Sequence, residues 1–350
     1  MRLIGHAQAQ DISLASIAHE SAKQGIPWMR PVAVSHVPMF FALSGFLVTG
    51  SAFRTQRVLP FLALRFFRIF PALCVEVTLS AIFIGAMFTS LPLSEYFTSK
   101  GFFVYFGNIF GIVEMHLPGV TFGTDTVVNA NLWTLPAEFY CYLILAGLIV
   151  TGIAFNRAIL TASFAIATVA LLIANWFFDF NAEPWLLASN INIYYFFVGA
   201  MFFHWRQLIP YTFWLLVPAI ILSYGLLFTA HAVYIIPPLL TYITVFVGLT
   251  NFPPSKLLQS GDYSYGIYLY GFPINEALLA TFPALRGNFF GLVASTIICT
   301  GLFAFLSWHL VEKRFLGLRK YFSTKSARIA ADLHPKELAE KPAALAKSAP

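Results

Sequence analysis

The sequence predicts an all-α protein, a polytopic integral membrane helical bundle with about nine spanning helices. The chain is 59% hydrophobic and only 10% charged, whereas a soluble domain carries about 25% charged residues. Aromatic residues make up 17% of the chain, including 38 Phe, which suits lipid-facing and interfacial surface. Long apolar segments also recur along the chain. These three observations exclude an ordinary soluble domain.

Nine apolar segments are candidate spans, judged against the roughly 20 residues with which a helix crosses a bilayer. They cover residues 35–53, 71–90, 132–154, 158–178, 190–205, 210–228, 231–250, 263–282 and 289–311. The segment at 190–205 is short for a span. A still shorter apolar run at 102–113 is expected to be a re-entrant or interfacial piece.

Basic residues orient the predicted bundle. Arg54, Arg57, Arg65 and Arg68 follow the first apolar segment, in what we predict to be one short connection before the next helix. Clustered positive charge stays on the cytoplasmic side of a membrane. We therefore expect this connection to be cytoplasmic, where it could also bind an anion such as the phosphates of a nucleotide cofactor.

The C-terminal tail carries a second basic cluster, which begins at Lys313 and Arg314. The same rule places this tail in the cytoplasm. The chain must then cross the membrane an even number of times between the two clusters. We expect residues 1–320 to form the membrane domain, and residues 321–350 to form a cytoplasmic, disordered tail.

One predicted outer segment, residues 91–131, is long for a connector. It carries four polar residues of interest, namely Glu114, His116, Asp125 and Asn129. Long ordered loops on a rigid scaffold often line a binding site. We expect this segment to do so on the outer face.

Two other functional classes find no support in the composition. The formal net charge of +6 comes from basic residues placed where membrane topology favours them, so it does not indicate nucleic-acid binding. The cysteines Cys74, Cys141 and Cys299 lie in apolar segments without ligand-like spacing. They are interpreted as small buried residues, and no metal site is predicted.

Ionisable groups at membrane depth are functional candidates, because burying them is costly. His6 could serve as a general base on a hydroxyl, although a structural role is also open. Trp133 and Glu138 flank Pro136, which is compatible with a helix start. They could bind a sugar, or they could be an interfacial Trp and a Glu that complements the helix dipole.

Two further pairs also allow alternative roles. Arg65 and Arg68 share a helix face because they are three residues apart, so they could bind phosphates or anchor the chain at the interface. Ser44 and Gly45 lie in mid-helix, where they could form a close-packing contact or let a ligand approach the backbone. A serine-nucleophile role for Ser44 has no visible His-Asp pair to support it.

A later segment begins another helix with a cap and several tyrosines. Asp262 is interpreted as a helix cap, and the tyrosines of the run from 263 to 270 are interpreted as an aromatic belt. Glu276 follows inside the apolar run, so it is a candidate buried carboxylate.

Several motifs occur in one order along the chain. They are G-H-A at 5–7, V-P-M-F-F-A-L-S-G-F-L-V-T at 37–49, R-F-F-R-I-F-P at 65–71, L-P-G-V at 117–120, N-A-N-L-W-T-L-P-A-E-F-Y at 129–140, D-Y-S-Y-G-I-Y-L at 262–269 and H-L-V-E-K-R-F at 309–315. In this order they resemble the acyltransferase type 3 family, integral membrane enzymes that O-acylate carbohydrates. The resemblance covers nearly all of the chain except the tail.

The resemblance implies an acetyl-CoA-type donor reached from the cytoplasm and an acceptor sugar on or across the membrane. The arginines of the family correspond to Arg65 and Arg68, which would hold the coenzyme A phosphates. Its Trp and Glu correspond to Trp133 and Glu138, which would orient the substrates on the outer half. The helix that contains Ser44 would then border the acyl path.

The resemblance also implies about ten helices, so we expect the first helix to be truncated in this chain. The family motif of an Arg, ten residues and then a His places the His at His6, where it would be a base or an acyl-relay residue. The Arg of that motif would precede residue 1. Many members have a His after the S-Y-G-I-Y-L stretch, whereas this chain has Tyr270 and Gly271.

The resulting hypothesis is a bacterial inner-membrane O-acetyltransferase. It would use acetyl-CoA as co-substrate and modify an exopolysaccharide, a lipopolysaccharide or a similar glycan or glycolipid. One alternative is a transporter or flippase with Glu76, Glu138 and Glu276 as proton or substrate sites, although the sequence shows no internal repeat of the kind that many transporters have. Another alternative is an inactive, truncated family member.

Overall fold

The computed structural model describes residues 30–123, 125–178, 189–228, 234–250 and 260–318. Within these ranges the secondary structure is almost entirely helical, and the only β pairing consists of isolated bridges. The prediction of an all-α membrane protein is therefore confirmed. The expected tail from residue 321 onward lies outside the described residues.

Thirteen α-helices follow one another along the chain. In our numbering they are α1 Arg30–Thr55, α2 Val58–Leu79, α3 Gly85–Phe88, α4 Leu93–Thr98, α5 Lys100–Tyr105, α6 Leu135–Val150, α7 Arg157–Phe178, α8 Ser189–Trp205, α9 Phe213–Leu226, α10 Ile236–Leu249, α11 Ser264–Thr281, α12 Phe289–Ser307 and α13 Lys313–Gly317, counted over the described ranges. Two π-helical turns, Ser80–Ile84 and Trp308–Glu312, continue α2 and α12 respectively.

The predicted arginine connection is much shorter than expected. Helix α1 ends at Thr55 and α2 begins at Val58. The short connection includes a left-handed backbone at Gln56, where φ is +52°. Only Arg57 lies between the helices, whereas Arg65 and Arg68 lie within α2. Leucine and arginine are both good helix formers, so the helix extends through the basic stretch instead of starting at the apolar run from 71.

Five helical stretches are long and apolar enough to cross a membrane. Within the described residues they are Ser35–Thr55, Val58–Phe88, Ala130–Val150, Arg157–Ala174 and Phe289–Gly317. The apolar helices α9 and α10 are shorter, at 14 residues each. The count of nine spans therefore stays a prediction.

The predicted outer segment is folded and contains no helix of spanning length in its described part. Helices α4 and α5 have six residues each, about 9 Å of helix, which agrees with the expected non-spanning character of 102–113. The Tyr96 hydroxyl ties α4 to the Ala81 carbonyl at 2.6 Å. The Thr89 hydroxyl donates to the Pro118 carbonyl at 2.8 Å. The segment is therefore held in a defined conformation.

The helices divide into two compact units. The first unit contains α1 and α6–α10, and the second contains α2–α5 and α11–α13. In the first unit, a Cβ added to Gly45 would overlap the Phe196 carbonyl, and one added to Gly199 would overlap the Ala42 carbonyl. Helices α1 and α8 thus approach each other backbone to backbone. The close-packing alternative is therefore observed for Gly45, while the role of Ser44 stays a prediction.

In the second unit, α11 and α12 pack against each other through small residues. A Cβ on Gly266 would lie 2.8 Å from the Cα of Ala304. The Tyr265 hydroxyl donates to the Ile69 carbonyl at 3.1 Å, which joins α11 to α2. Tyr265 and Tyr270 are both buried. These two tyrosines therefore pack inside the unit, and their membership of an interfacial aromatic belt stays a prediction.

Candidate functional site

Arg68 of α2 belongs to an ion-pair cluster in the second unit. Arg68 Nη2 lies 2.7 Å from Asp262 Oδ2, and Arg68 Nη1 lies 3.8 Å from Glu312 Oε2. The guanidinium also lies 5.8 Å from the centre of the Tyr265 ring, within the range of a cation–π contact. Two carboxylates and an aromatic ring therefore fix the position of Arg68.

The two carboxylates differ in exposure. The Asp262 side chain is 52% exposed, and its Oδ1 accepts from the Ser264 hydroxyl at 2.6 Å. The N-cap residue of α11 is Tyr263, and no side chain caps this end of the helix, so the interpretation of Asp262 as the helix cap is wrong. The Glu312 side chain is 0% exposed and accepts from the Ser307 hydroxyl at 3.1 Å. A phosphate that binds Arg68 would compete with the exposed Asp262. The predicted coenzyme A role of Arg65 and Arg68 stays a prediction.

More polar groups surround this cluster. The Tyr263 hydroxyl lies 2.7 Å from the Ser260 hydroxyl and 3.3 Å from His309 Nε2. His309 belongs to the same π-helical turn that ends at Glu312, and π turns are frequent at functional sites. The cluster therefore combines the arginine, an imidazole, the Tyr263 phenol and two carboxylates.

A second buried carboxylate lies further along α2. Glu76 is fully buried, and its Oε1 accepts from the Ser80 hydroxyl at 2.7 Å and from the Asn129 amide at 2.8 Å. Asn129 also donates to the Leu269 carbonyl at 3.0 Å. The cluster joins α2, α11 and the end of the outer segment. Glu76 Oε2 has no hydrogen-bond partner within the part of the chain that the structure describes.

The predicted acceptor residues lie in the first unit. The chain enters α6 through a 3₁₀ turn, Ala130–Thr134, which carries the half-buried Trp133. Pro136 lies in the first turn of α6, as expected, and Glu138 follows it there. Glu138 is only 7% exposed, and it accepts a short hydrogen bond from the Tyr142 hydroxyl. Glu138 is therefore a buried, hydrogen-bonded carboxylate near a helix N-terminus.

Aromatic packing relates Glu138 to the helix of Ser44. The Tyr142 ring lies edge-on to the Phe196 ring, with 6.3 Å between their centroids. The Phe196 carbonyl in turn faces Gly45, the neighbour of the half-buried Ser44. The structure thus brings α1 and α6 against the same helix, α8, whereas His6 lies outside the described residues.

The outer segment holds a carboxylate–imidazole pair. Glu114 Oε1 accepts from the His116 backbone N–H at 3.0 Å and lies 3.3 Å from His116 Nδ1. The hydrogen bond to His116 lowers the pKa of Glu114, and the same bond raises the pKa of His116. The Asn108 amide fixes this turn through the Glu114 carbonyl at 2.7 Å.

Glu276, a candidate buried carboxylate, is only half-buried. It accepts from the Asn275 amide at 3.1 Å, and the Asn275 side chain also accepts from the Thr296 hydroxyl at 3.2 Å. Neither neighbour is ionisable.

Sequence reasoning did not predict the contacts of three groups that the structure places in these clusters. Asp262 was interpreted only as a cap, although it pairs with Arg68. Asn129 was expected to line a binding site with the rest of the outer segment, although it binds Glu76, and Glu312 belonged to a motif without an assigned function. The partners of these residues are distant in sequence. A local signal existed at Glu312, because a carboxylate that directly follows an apolar helix needs a polar or positively charged partner.

One family model and two relatives match most of the chain. A family model described as an acyltransferase domain matches residues 5–311. The chain is 27% identical to the O-acetyl transferase of Shigella phage Sf6 over 290 residues, which is 80% of this chain and 84% of that protein. It is 26% identical to Nodulation protein 10 of Rhizobium leguminosarum bv. viciae over 320 residues, 84% of this chain and 85% of that protein. No solved structure matches the chain.

Proposed function

Because the chain belongs to the acyltransferase domain family, whose model matches residues 5–311, we propose that it transfers an acetyl group from acetyl-CoA to a hydroxyl of a cell-envelope glycan. It is a membrane O-acyltransferase. Acetyl-CoA as the donor and the glycan as the acceptor are the parts of this function that we propose.

One observation carries the choice of acetyl transfer. The relative named O-acetyl transferase matches 80% of this chain and 84% of its own length, so the similarity covers the body of both proteins. An exopolysaccharide, a lipopolysaccharide or another envelope glycan or glycolipid is the acceptor that we propose, since the sequence motifs resemble enzymes that acylate carbohydrates.

The donor would bind at the basic end of α2. Arg65 and Arg68 are the residues that we propose for the coenzyme A phosphates, because a guanidinium can bind a phosphate with two parallel hydrogen bonds. The buried Glu312 and the Tyr265 ring would keep the guanidinium oriented when a phosphate displaces Asp262. The polar neighbours Tyr263 and His309 could add hydrogen bonds to the same ligand.

The acceptor would bind in the first unit. A half-buried indole such as Trp133 can stack on a sugar ring, and the buried carboxylate of Glu138 can accept a hydrogen bond from a hydroxyl. The hydrogen bond from Tyr142 would fix the orientation of that carboxylate. We assign the base or acyl-relay role to His6 and place Ser44 beside the acyl path.

The location in the cell follows from the charge distribution. We propose the bacterial inner membrane, with the basic end of α2 and the C-terminal tail in the cytoplasm, because basic clusters favour that side. Acetyl-CoA would reach the enzyme from the cytoplasm, while the glycan would be modified on the outer half.

Complementation tests this function. The gene should restore alkali-labile acetate on the envelope glycan of a strain that lacks its own O-acetyltransferase. The variant Glu138→Gln should lose at least about 100-fold in transfer rate if the carboxylate takes part in proton transfer. The matched control is Glu276→Gln, because Glu276 is half-buried and hydrogen-bonded by a neighbouring amide. Absence of glycan acetate despite normal protein in the membrane would overturn the proposal.

A further inference from the structure

The first unit contains an apolar cleft that the proposed chemistry does not use. It lies between the end of α8, the connection to α9, and α10, and it holds about 370 Å³ of space, part of which is open to the surroundings of the protein. Phe46 and Phe246 are buried parts of its lining, whereas Leu249 is exposed. Among the described residues that line the cleft, only Arg206 is charged. The cleft therefore combines a hydrocarbon surface with one positive charge.

Two tyrosines hold the cleft in shape. The Tyr211 hydroxyl donates to the Phe246 carbonyl at 3.0 Å, and the two rings stack with 4.0 Å between their centroids. The Tyr242 hydroxyl donates to the Pro210 carbonyl at 2.8 Å and accepts from the Thr212 backbone N–H at 3.2 Å. The connection between α8 and α9 is thus fastened to α10. Because the cleft is formed before a ligand arrives, binding there requires little ordering of the chain.

Arg206 presents hydrogen-bond donors at this cleft. Its Nη1 donates to the Phe203 carbonyl at 2.5 Å, and its guanidinium lies 4.0 Å from the centre of the Phe203 ring. A guanidinium has five N–H donors, so this contact leaves others for a ligand. No carboxylate of the described residues forms a salt bridge with Arg206. Arg206 is therefore an exposed cation that is held in place by Phe203.

A second arginine lies near the same end of α8. The Arg157 guanidinium lies 5.2 Å from the centre of the Trp205 ring, within the range of a cation–π contact. Trp205 directly precedes Arg206, and its Nε1 donates to the Thr161 hydroxyl at 3.0 Å. Arg157 likewise forms no salt bridge with a described carboxylate. Arginines at a membrane surface attract anionic lipids, so this end of α8 favours a negatively charged ligand.

We propose that the cleft binds an anionic phospholipid. The lipid phosphate accepts hydrogen bonds from the Arg206 guanidinium, which suits a phosphate through two parallel N–H groups. One acyl chain lies along the apolar lining between α8 and α10, where it removes hydrocarbon surface from water. This site is independent of the proposed acetyl transfer, because it uses none of the residues assigned to the donor or the acceptor.

Three other kinds of ligand match the cleft less well. A neutral lipid leaves the positive charge of Arg206 without a partner. Inorganic phosphate pairs with Arg206 but leaves the apolar lining uncovered. Phosphatidylethanolamine has a phosphate and acyl chains, but its ammonium group would approach Arg206 and Arg157, and like charges repel. Phosphatidylglycerol, which carries a net negative charge, is therefore the probe.

A role in topology alone makes a different prediction. Arginines at the ends of membrane helices can simply orient the chain in the bilayer, and that role needs positive charge but no cleft. Arg206→Gln removes the charge at the cleft. Arg314→Gln removes the same charge from an exposed residue of the second unit and is the matched control. Val245→Phe keeps every charge and places a larger side chain in the lining.

The first test measures lipid binding to the full chain by native mass spectrometry in detergent. Phosphatidylglycerol and phosphatidylethanolamine with the same acyl chains are titrated separately, and we expect tighter binding of phosphatidylglycerol. Arg206→Gln should weaken this binding about fivefold, as expected for one arginine near an anionic lipid, and Val245→Phe should weaken it as well. Arg314→Gln should change it less than about twofold, as a surface substitution does. Equal affinity for the two lipids, or equal losses in Arg206→Gln and Arg314→Gln, would overturn the proposal.

The second test separates a lipid from other phosphate ligands. Inorganic phosphate and acetyl-CoA are each added in excess to the complex with phosphatidylglycerol. Neither should displace the lipid, because neither has an acyl chain long enough to cover the apolar lining. Displacement by inorganic phosphate would show that the cleft is a site for free anions. Displacement by acetyl-CoA alone would show that donor phosphates bind at Arg206, and either result would overturn the lipid site.

Discussion

Arg68 Nη2 lies 2.7 Å from Asp262 Oδ2, while Nη1 of the same guanidinium lies 3.8 Å from Glu312 Oε2. One arginine therefore balances an exposed and a buried carboxylate. A phosphate can replace the exposed partner at low cost, because exposed ion pairs contribute only about 0.2–1 kcal/mol. It cannot easily replace the buried one, since an uncompensated buried carboxylate is costly.

Asp262→Asn should strengthen donor binding. The substitution removes a competing anion from Arg68, and asparagine can still accept a hydrogen bond from Ser264. We expect KM for acetyl-CoA to fall about two- to fivefold, the equivalent of the exposed ion pair, with kcat unchanged. A raised KM would show that Asp262 supports the site and does not compete for it.

Arg68→Gln should destabilise the protein in addition to weakening donor binding. It leaves Glu312, which is 0% exposed, without its positive partner, and breaking such a pair costs about 3–5 kcal/mol. Unfolding of the purified protein by denaturant in detergent measures this loss. The double variant Arg68→Gln/Glu312→Gln should recover most of the stability and none of the donor affinity. Equal stability of the single variant and wild type would contradict the pairing.

Gly45→Ala should disrupt the contact between α1 and α8. The added Cβ would overlap the Phe196 carbonyl, and forcing atoms into a well-packed site costs about 1–3 kcal/mol. Gly147→Ala on α6 is the control, because nothing lies within 4 Å of its added Cβ and alanine favours a helix by about 0.5–1 kcal/mol. Equal unfolding midpoints for the two variants would contradict the close contact.

Much of the fold could be predicted because composition and apolar segments determine it. The helices around residues 35–53, 158–178 and 289–311 were found within a few residues of their observed bounds. The start of α2 was missed because Arg65 and Arg68 lower the local hydrophobicity, although they do not interrupt a helix. Whether α9 and α10 cross the membrane depends on how each helix lies in the bilayer, and helix length and hydrophobicity alone do not determine this. The count of nine crossings therefore stays a prediction.

Glu114→Gln should lower the pKa of His116. The hydrogen bond between the two side chains raises the pKa of His116 above its ordinary value of 6.5, so removing the carboxylate should return it toward that value. NMR titration of histidine ring signals measures the change, and His116→Gln assigns the resonance. An unchanged pKa would show that the 3.3 Å contact does not persist in solution.

The same pair gives stability a defined pH window. Because the pKa of His116 is raised, its contribution is complete below pH 6.5 and is lost as the pH rises through the raised value. Because the pKa of Glu114 is lowered, its contribution is complete above pH 4.5 and is lost as the pH falls through the lowered value. Both groups are partly exposed, so we expect less than about 1 kcal/mol, reduced further by salt.

The candidate site was predictable only where a single residue carries the signal. Arg65, Arg68, Trp133 and Glu138 stood out as charged or aromatic groups in recognisable motifs. Their partners did not, because Asp262 lies 194 residues and Glu312 lies 244 residues beyond Arg68 in the chain, and no periodicity encodes such a pairing. The unpartnered oxygen of Glu76 is likewise a three-dimensional property.

Acetyl transfer by the purified chain is the decisive property of the proposed enzyme. The protein in lipid nanodiscs would receive radiolabelled acetyl-CoA and envelope glycan from an unacetylated strain. We expect alkali-labile label to appear in the glycan together with free coenzyme A. The rate at which this label forms should be at least about 100-fold lower with Glu138→Gln and unchanged with Glu276→Gln. A folded wild-type protein that forms no glycan ester above the rate without protein would contradict the proposed acetyltransferase.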